Sequence, residues 1–182
     1  MNITPELDTR FREAALREGL VDVRYDVVDS PVGELFVAAT DRGLCRISYW
    51  PDGMEESLAR TFGPRVLRSP LDEVRRELDE YFEGRRQQFD LPLDLRVAPF
   101  HADVLAELAR VPYGRTETYG SLAAKVGRPK AARAVGTVMN RNPIPIVLPC
   151  HRIVGANGSL TGYAGGLDVK LRLLQLEGAM LA

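Results

Sequence analysis

The sequence is poor in cysteine and histidine, with two residues of each among 182. Two cysteines cannot build the disulfide framework of a small secreted domain, and they indicate a reducing, cytoplasmic setting. Apart from one adjacent Cys-His pair, the four residues are widely separated, which argues against a closed zinc site. We therefore expect no bound metal.

Long hydrophobic runs and low-complexity tracts are also missing. Without an apolar stretch near the N-terminus, we expect neither a signal peptide nor a membrane anchor. The composition, 45% hydrophobic and 27% charged, is typical of a soluble globular protein of one or two small domains.

Charge is divided unevenly along the chain, although the net charge is only −1. Residues 1–97 carry 14 Lys and Arg against 20 Asp and Glu, whereas residues 98–182 carry 10 against 5. The imbalance is greatest between Arg110 and Arg152, where eight basic residues accompany one acid, Glu117. Such a patch attracts phosphate, but a solvated basic face without a ligand explains the charge equally well.

The first half of the chain alternates apolar and polar residues over residues 24–50, around turn sequences at residues 30–33 and 41–43. This pattern predicts a β-meander. A helix is predicted next, with Ser69 as its cap and Pro70 as its first residue. Gly84 would end this helix, and its apolar stripe would consist of Leu71, Val74, Leu78, Tyr81 and Phe82.

The second half becomes helical from Pro99 onward. The change of pattern places a domain boundary near residues 90–98. We therefore predict an α+β protein with a small N-terminal sheet-and-helix domain, residues 1–97. A mainly helical C-terminal domain, residues 98–182, would contain a helix-turn-helix and the candidate nucleophile. One face of the first helix in this C-terminal domain would carry the apolar residues Phe100, Val104, Leu105, Leu108 and Val111.

Two short helical patterns follow, over residues 119–126 and 129–139, with Pro129 suited to the first position of the second helix. This is the outline of a helix-turn-helix. An ordinary amphipathic helix pair is commoner, but its coincidence with the basic patch favours DNA binding. On the second helix we expect Ala131, Ala134, Val135 and Val138 to pack inward, and Lys130, Arg133, Gly136 and Thr137 to share another face.

The candidate nucleophile is Cys150, which is followed at once by His151. A thiol with an ordinary pKa of about 8.5 needs a nearby base to become a strong nucleophile at neutral pH. Three prolines in residues 142–149 predict a stiff, extended segment that leads to Cys150. A merely packed cysteine is an equally good interpretation of this stretch alone, and Cys45 has no feature beyond packing.

Residues 99–178 resemble the C-terminal domain of the O6-alkylguanine-DNA alkyltransferases, also called methylated-DNA–protein-cysteine methyltransferases. Residues 1–98 resemble the family in layout only. The resemblance is carried by Val111-Pro112-Tyr113-Gly114, Thr118-Tyr119-Gly120, Ala132-Arg133-Ala134-Val135-Gly136, Asn142-Pro143-Ile144-Pro145, Pro149-Cys150-His151-Arg152, Gly162-Tyr163-Ala164-Gly165-Gly166-Leu167 and residues 174–178.

The resemblance implies a cofactor-free repair reaction in duplex DNA. An alkyl group would pass irreversibly, once per protein molecule, from guanine O6, and also from thymine O4, to Cys150. His151 would act as the base through a water molecule, and Glu177 would orient His151. A helix capped by Asp168 and ended by Gly178 would place Glu177 in its last turn, where the helix dipole disfavours a negative charge unless a donor compensates.

The resemblance also implies that the target nucleotide is flipped out of the duplex, with the recognition helix in the minor groove. Arg133 would fill the gap in the base stack, Tyr119 would contact the rotated phosphate and the flipped base, and Asn142 would tie the cysteine segment to the helix pair. The expected species is a monomer, with cooperative binding along DNA left open. Further DNA contacts are implied for Lys130, Ala132, Gly136, Arg141 and Arg152, and pocket contacts for Ile153, Tyr163, Ala164 and Gly165.

The sequence leaves two alternative functions open. A non-catalytic helix-turn-helix protein would bind lesions or regulate transcription, but it has no use for Cys150, His151 and Glu177 together. A cysteine hydrolase or transferase with turnover would leave the basic helix pair unexplained.

Overall fold

The structure, a computed structural model, describes residues 4–179 and has the predicted α+β fold. The helices are α1 (Pro5–Arg17), α2 (Met54–Phe62), α3 (Asp72–Phe82), α4 (Pro99–Leu108), α5 (Tyr119–Lys125), α6 (Ala132–Asn140) and α7 (Leu167–Leu176). The strands are β1 (Val23–Val28), β2 (Leu35–Thr40), β3 (Gly43–Ser48), β4 (Val66–Arg68), β5 (Glu117–Thr118) and β6 (Ile153–Val154).

The predicted β-meander is present as the antiparallel strands β1, β2 and β3. A fourth strand, β4, extends the sheet in parallel to β1, which gives the order β3-β2-β1-β4. Neither β4 nor helix α2, which connects β3 to it, was predicted from the sequence. The parallel strand arises because α2 carries the chain back across one face of the sheet.

All six residues of β2 are buried. Phe36 and Ala38 belong to a cluster that includes Leu58 of α2, while Leu35 and Val37 belong to the main core. The two faces of the central strand are therefore covered by different elements. A central strand of this kind has no polar face.

Helix α3 begins at Asp72, two residues after the predicted start. The amide of Ser69 donates to the carbonyl of Tyr25 at 2.9 Å, so Ser69 extends the pairing of β4 and does not cap the helix. Gly84 does follow the helix end, with a φ of 74° that favours glycine. The helix end was thus predicted correctly and its start was not.

The helix-turn-helix consists of α5 and α6, but its second helix begins at Ala132 and not at Pro129. The amide of Ala131 donates to the carbonyl of Arg128 at 2.8 Å, so Pro129 lies within a turn. Val135, Val138 and Met139 face the core as the apolar stripe of α6. Ala134 is exposed, which corrects its predicted inward position.

The two halves of the chain share one large hydrophobic cluster, to which β2 and β3 contribute together with α4, α6 and α7. Backbone hydrogen bonds reinforce this contact, since Ile47 of β3 donates to the carbonyl of Pro143 at 2.9 Å. The sheet is therefore held firmly against the half that carries Cys150. Within the described residues, no helix has the length and the apolar run needed to cross a bilayer.

Candidate active site

The segment that leads to Cys150 is a tight turn, which corrects the prediction of an extended stretch. Leu148 donates its amide to the carbonyl of Ile144 at 2.9 Å, and Ile146 has a φ of 75°. A β-branched residue in the left-handed region is strained by on the order of 1–3 kcal/mol. Asn142 holds the turn closed, because its Nδ2 donates to the Leu148 carbonyl at 2.7 Å and its Oδ1 accepts from the Ile144 amide at 3.0 Å.

Cys150 opens a single 3-10 turn, Cys150–Arg152, directly after this segment. The residue is 3% exposed, and burial raises the pKa of its thiol to about 11. A hydrogen bond from the Asn142 side chain and the charge of Lys170 oppose that increase in pKa. The resting thiol is therefore protonated at neutral pH and needs a base to become a thiolate.

His151 is fully buried beside Cys150, and its Nε2 lies 2.8 Å from Oε1 of Glu177. Its Nδ1 is buried and has no hydrogen-bond partner within the described residues. Burial lowers the pKa of His151, so the ring is neutral at pH 7. A proton on Nε2, donated to the carboxylate, leaves the Nδ1 lone pair available to accept a proton.

Glu177 lies at the C-cap of α7, as predicted. The N-cap of this helix is Gly166, so Asp168 stands in the first turn and is not the predicted cap. Burial would raise the pKa of Glu177, but hydrogen bonds from His151 and Arg152 outweigh it and lower the pKa to about 2. The expected compensating donors are thus present at this helix end.

Arg152 is one of these donors and does not face the surface. Its Nε and Nη2 bind the two carboxylate oxygens of Glu177 at 2.8 and 2.9 Å, and its Nη1 donates to the Val111 carbonyl at 2.6 Å. The residue is 5% exposed. The prediction that Arg152 contacts DNA is therefore wrong, because the guanidinium is committed to a buried bidentate pair.

Two buried residues of the site were missed by sequence reasoning. Tyr81 of α3 donates its hydroxyl to Oε1 of Glu177 at 2.7 Å, so the N-terminal half contributes to the carboxylate's environment. Lys170 of α7 is fully buried and donates to the carbonyls of Ile153 at 2.6 Å and Thr161 at 3.1 Å. The sequence placed Tyr81 in an apolar helix stripe, which gave no sign of its hydrogen bond. For Lys170, the only sign of burial was the apolar character of its neighbours in α7.

The predicted pocket residues lie on both sides of the cysteine turn. Ile153 of β6 is fully buried, and its strand pairs in parallel with β5, the strand immediately before Tyr119. Tyr163 stands edge-on to the His151 ring, with 6.5 Å between the ring centroids. Ala164 and Gly165 continue the wall from Tyr163, with Ala164 exposed.

Tyr119 connects the helix-turn-helix to this wall. Its hydroxyl lies 2.8 Å from the Thr161 hydroxyl, and a Cβ on Gly136 of α6 would approach its ring to 3.9 Å. A shallow surface hollow lies beside the ring. Its lining consists of Tyr119, Ala132, Arg133, Gly136, Asn140, Thr161 and Gly162.

The basic patch is smaller on the folded protein than its sequence count suggests. Of the eight basic residues, Arg152 is buried and Lys125 pairs with Glu117 at 2.7 Å. Another pair joins Arg110 to Glu107, and Arg128 lies over the Phe100 ring at 5.1 Å. Among the described residues, the basic ones of this patch that are exposed and have neither an ion pair nor a ring contact are Arg115, Lys130, Arg133 and Arg141.

The site combines a cysteine that a neutral histidine can activate with a neighbouring helix pair that carries basic residues without ion pairs among the described residues. This is the arrangement of a DNA-modifying enzyme that uses its own thiol. Comparison with known proteins specifies the family. Residues 99–179 match the profile described as 6-O-methylguanine DNA methyltransferase, DNA binding domain, and residues 23–95 match that of its ribonuclease-like domain.

Full-length relatives agree with these matches. The methylated-DNA–protein-cysteine methyltransferase of Mycolicibacterium paratuberculosis is 44% identical over 156 residues, which cover 85% of this chain and 92% of that protein. The Methanosarcina barkeri protein of the same name is 39% identical over 162 residues, covering 84% of this chain and 96% of its own length. The chain therefore belongs to the 6-O-methylguanine DNA methyltransferase family.

Solved structures show the same fold. The Mycobacterium tuberculosis OGT in complex with DNA superimposes with a TM-score of 0.77 at 39% identity, covering 86% of this chain and 93% of that one. The O6-methylguanine-DNA methyltransferase of Pyrococcus kodakaraensis gives a TM-score of 0.60 at 25% identity, covering 86% and 99%. The resemblance is confirmed and extends through the N-terminal half, where the sequence had indicated layout alone.

Proposed function

We propose that the chain repairs O6-alkylguanine in double-stranded DNA by transferring the alkyl group to the sulfur of Cys150. The observation that carries the proposal is the Glu177–His151 hydrogen bond of 2.8 Å beside a buried cysteine, in a chain of this family. The carboxylate fixes the histidine tautomer that leaves Nδ1 free to act as a base.

Activation of the thiol begins with a proton transfer. A water molecule bridging Cys150 and Nδ1 of His151 relays the thiol proton to the ring, and Glu177 stabilises the imidazolium that forms. The Asn142 side chain and the Lys170 ammonium stabilise the thiolate, since both oppose the burial that raises the pKa of Cys150. The site can therefore generate the nucleophile in a place closed to bulk solvent.

The transfer itself forms one bond and breaks another. The thiolate attacks the alkyl carbon, a C–S bond forms, and the bond between that carbon and guanine O6 breaks. The electron pair returns to the guanine ring, which takes up a proton equivalent to the one removed from the thiol. No cofactor is needed, because the cysteine itself is the acceptor. O4-alkylthymine is proposed as a second substrate with the same leaving-group chemistry.

A thioether is stable to hydrolysis, so each molecule reacts once. No step of the proposed reaction regenerates the thiol, so the protein is consumed in stoichiometric amount. The reaction also requires a reduced cysteine. This supports a reducing compartment, and we place the protein in the cytoplasm.

Access to the base requires that the nucleotide leave the duplex, at a cost of a few kcal/mol that is lower for a damaged base. Arg133 is exposed on α6 and makes no hydrogen bond or ion pair through its side chain within the described residues, which supports its role as the residue that fills the gap in the base stack. Tyr119 lies next to it and is proposed to contact the rotated phosphate. Further contacts are assigned to Lys130, Ala132, Gly136 and Arg141.

These contacts are proposed to lie in the minor groove, with one monomer per lesion. Ile153, Tyr163, Ala164 and Gly165 form the pocket for the flipped base and its alkyl group. The division of labour follows the domain boundary, with residues 98–182 binding DNA and carrying out the transfer. Residues 1–97 support the site, and one of their contacts is the hydrogen bond from the Tyr81 hydroxyl to Glu177.

The deciding experiment is mass spectrometry of the protein after incubation with excess duplex carrying one O6-methylguanine. We expect one added methyl group, located on the peptide that contains Cys150, and an equivalent amount of restored guanine in the DNA. The Cys150→Ser variant should remain unlabelled.

Three other outcomes would contradict the proposal. A methyl group on Cys45 would assign the wrong nucleophile, and restored guanine in excess of protein would indicate turnover. Binding of the lesion without transfer would support the lesion-binding alternative.

A further inference from the structure

The end of strand β3 and the residues after it contact both the segment that leads to Cys150 and Tyr163, a residue of the candidate alkyl pocket. The Ile47 amide donates to the carbonyl of Pro143, in the segment that leads to Cys150, at 2.9 Å. Two residues further on, the hydroxyl of Tyr49 lies 2.7 Å from the hydroxyl of Tyr163 in the pocket wall. One short stretch of the N-terminal half, residues 47–49, therefore links the cysteine segment to the pocket wall at Tyr163.

Trp50 makes a second contact with the same wall. Its indole Nε1 donates to the carbonyl of Ala164 at 3.2 Å, although the residue is 67% exposed. Its backbone is also fixed, because the Trp50 amide donates to the hydroxyl of Ser48 at 3.1 Å and that hydroxyl donates to the Trp50 carbonyl at 2.8 Å. The indole is thus held at its backbone and at its ring.

The wall has little rigidity of its own. Gly162, Gly165 and Gly166 make up three of the five residues from 162 to 166, and glycine restricts the backbone less than any other residue. The wall also packs closely on Tyr49, since a Cβ on Gly165 would lie 2.9 Å from the Tyr49 ring. Tethers from β3 therefore have a flexible segment to restrain.

We propose that Tyr49 and Trp50 are positioning residues that set the width of the alkyl pocket, and so the size of the alkyl group that Cys150 accepts. This inference rests on the proposed alkyl transfer and deepens it. The two tethers fix the wall at Tyr163 and Ala164, while the Ile47 amide holds the segment that leads to Cys150 at Pro143. Loss of either tether allows the wall to move outward, which favours bulky groups and leaves small ones nearly unaffected.

The test compares duplexes carrying O6-methylguanine or O6-benzylguanine, with second-order rates of Cys150 labelling measured by mass spectrometry. For Tyr49→Phe and Trp50→Phe we expect the ratio of benzyl to methyl rates to rise about three- to tenfold, the range expected for loss of one hydrogen bond. The methyl rate should stay within about twofold of the wild-type rate. Tyr25→Phe is the matched control, because it removes a tyrosine hydroxyl of the N-terminal half that binds Glu55 of α2 at 2.7 Å, away from the pocket wall, and it should leave the ratio unchanged.

Trp50 is also the chain's single tryptophan, so its fluorescence reports on the tether directly. We expect a red shift of the emission when Cys150 of the wild-type protein is benzylated, and a smaller shift when it is methylated, because the larger group displaces the wall further.

An unchanged rate ratio in both variants, or an equal fall of both rates, overturns the inference while the proposed function stands. Failure of the wild-type protein to transfer methyl to Cys150 overturns the proposed function, and this inference with it.

Discussion

The two cysteines of this chain lie in different halves and share a feature that usually marks an inert thiol. Cys45 on β3 is 1% exposed and Cys150 is 3% exposed. Burial is the main cause of a raised pKa in both, to about 12 for Cys45 and about 11 for Cys150. Burial alone therefore does not distinguish a nucleophile from a packed side chain.

The surroundings make the difference. Cys45 belongs to an apolar cluster with Phe36, Ala38 and Leu58, on the α2 side of the sheet. The charges of Arg46 and Arg96 also oppose the increase in its pKa, but neither chain neighbour of Cys45 is a histidine. Cys150 has the side chain of Asn142, the charge of Lys170 and backbone amides opposing the increase in its pKa, with a neutral histidine next to it. A thiol becomes useful when groups that stabilise the thiolate, and a base that removes the proton, are fixed around it in advance.

The largest difference between the two cysteines is expected from a pair of alanine variants. Cys150→Ala should abolish methyl transfer to the protein, because the acceptor atom is gone. Cys45→Ala should transfer methyl at the wild-type rate and lose about 1 kcal/mol of unfolding free energy, since only a small buried group is removed. Labelling by mass spectrometry and denaturant unfolding measure the two effects. A slow Cys45→Ala variant with wild-type stability would show that both thiols matter.

His151→Ala tests whether the neighbouring base is what makes Cys150 reactive and Cys45 inert. At neutral pH the transfer rate should fall roughly 10²- to 10⁴-fold, as expected for loss of a general base. Because the pKa of Cys150 is about 11, the residual rate should rise close to tenfold per pH unit above neutrality, as the thiolate fraction increases.

The wild-type rate should be nearly independent of pH above 7, because burial lowers the pKa of His151 and the ring is already neutral there. It should fall only below the ordinary histidine pKa of about 6.5, when the ring becomes protonated. Equal pH profiles for the two proteins would remove His151 from the mechanism.

Glu177→Gln weakens the support for the base and leaves Arg152 buried without a counter-charge. We expect a fall in transfer of about 10²-fold, near the lower limit for impaired base catalysis. The loss of unfolding free energy should be about 3–5 kcal/mol, the cost of breaking a buried ion pair. Glu117→Gln is the matched control, because its partner Lys125 is half exposed, and it should cost below about 1 kcal/mol.

Glu177 also predicts acid sensitivity. Its pKa of about 2 lies below the ordinary value of 4.5, so the carboxylate stabilises the fold above pH 4.5 and that contribution is lost as the pH falls toward 2. The Glu177→Gln variant should lack this part of the pH dependence. An identical acid dependence of unfolding in the two proteins would contradict the assignment.

The smallest expected effect is that of Lys170→Met, which keeps the length of a side chain that is fully buried and removes its charge. The pKa of Cys150 should rise toward that of Cys45, and transfer should slow by about tenfold, which corresponds to roughly one pKa unit. In a His151→Ala background the alkaline increase of the rate should then start about one pH unit higher. An unshifted profile would mean that Lys170 acts only through its bonds to the carbonyls of Ile153 and Thr161.

Local patterns predicted the parts of the fold that depend on neighbours in sequence. The meander turns, the end of α3 at Gly84 and the inward positions of Val135 and Val138 in α6 all follow from residues a few positions apart. Errors occurred where tertiary contacts override local preference. Ser69 extends β4, Pro129 lies in a turn, and the proline-containing segment before Cys150 folds back on itself with Ile146 in the left-handed region.

The site shows the same division. The adjacent Cys150 and His151 could be identified from the sequence, and the family motifs added Glu177. No local pattern indicated that Arg152 would bind Glu177 from 25 residues away, or that Tyr81 would do so from 96. The family resemblance had assigned Arg152 to DNA, together with Lys130 and Arg141.

The sequence by itself determined which chemistry to expect, because the candidate nucleophile, the candidate base and the helix pair each have a local signature that depends on a few consecutive residues. Only the tertiary structure decided which charges are buried and which are free, and which residues of the N-terminal half reach the site. Those properties depend on contacts between segments far apart in the chain. Burial and the distance between charges, which fix pKa values and ion pairs, exist only after the two halves have packed together.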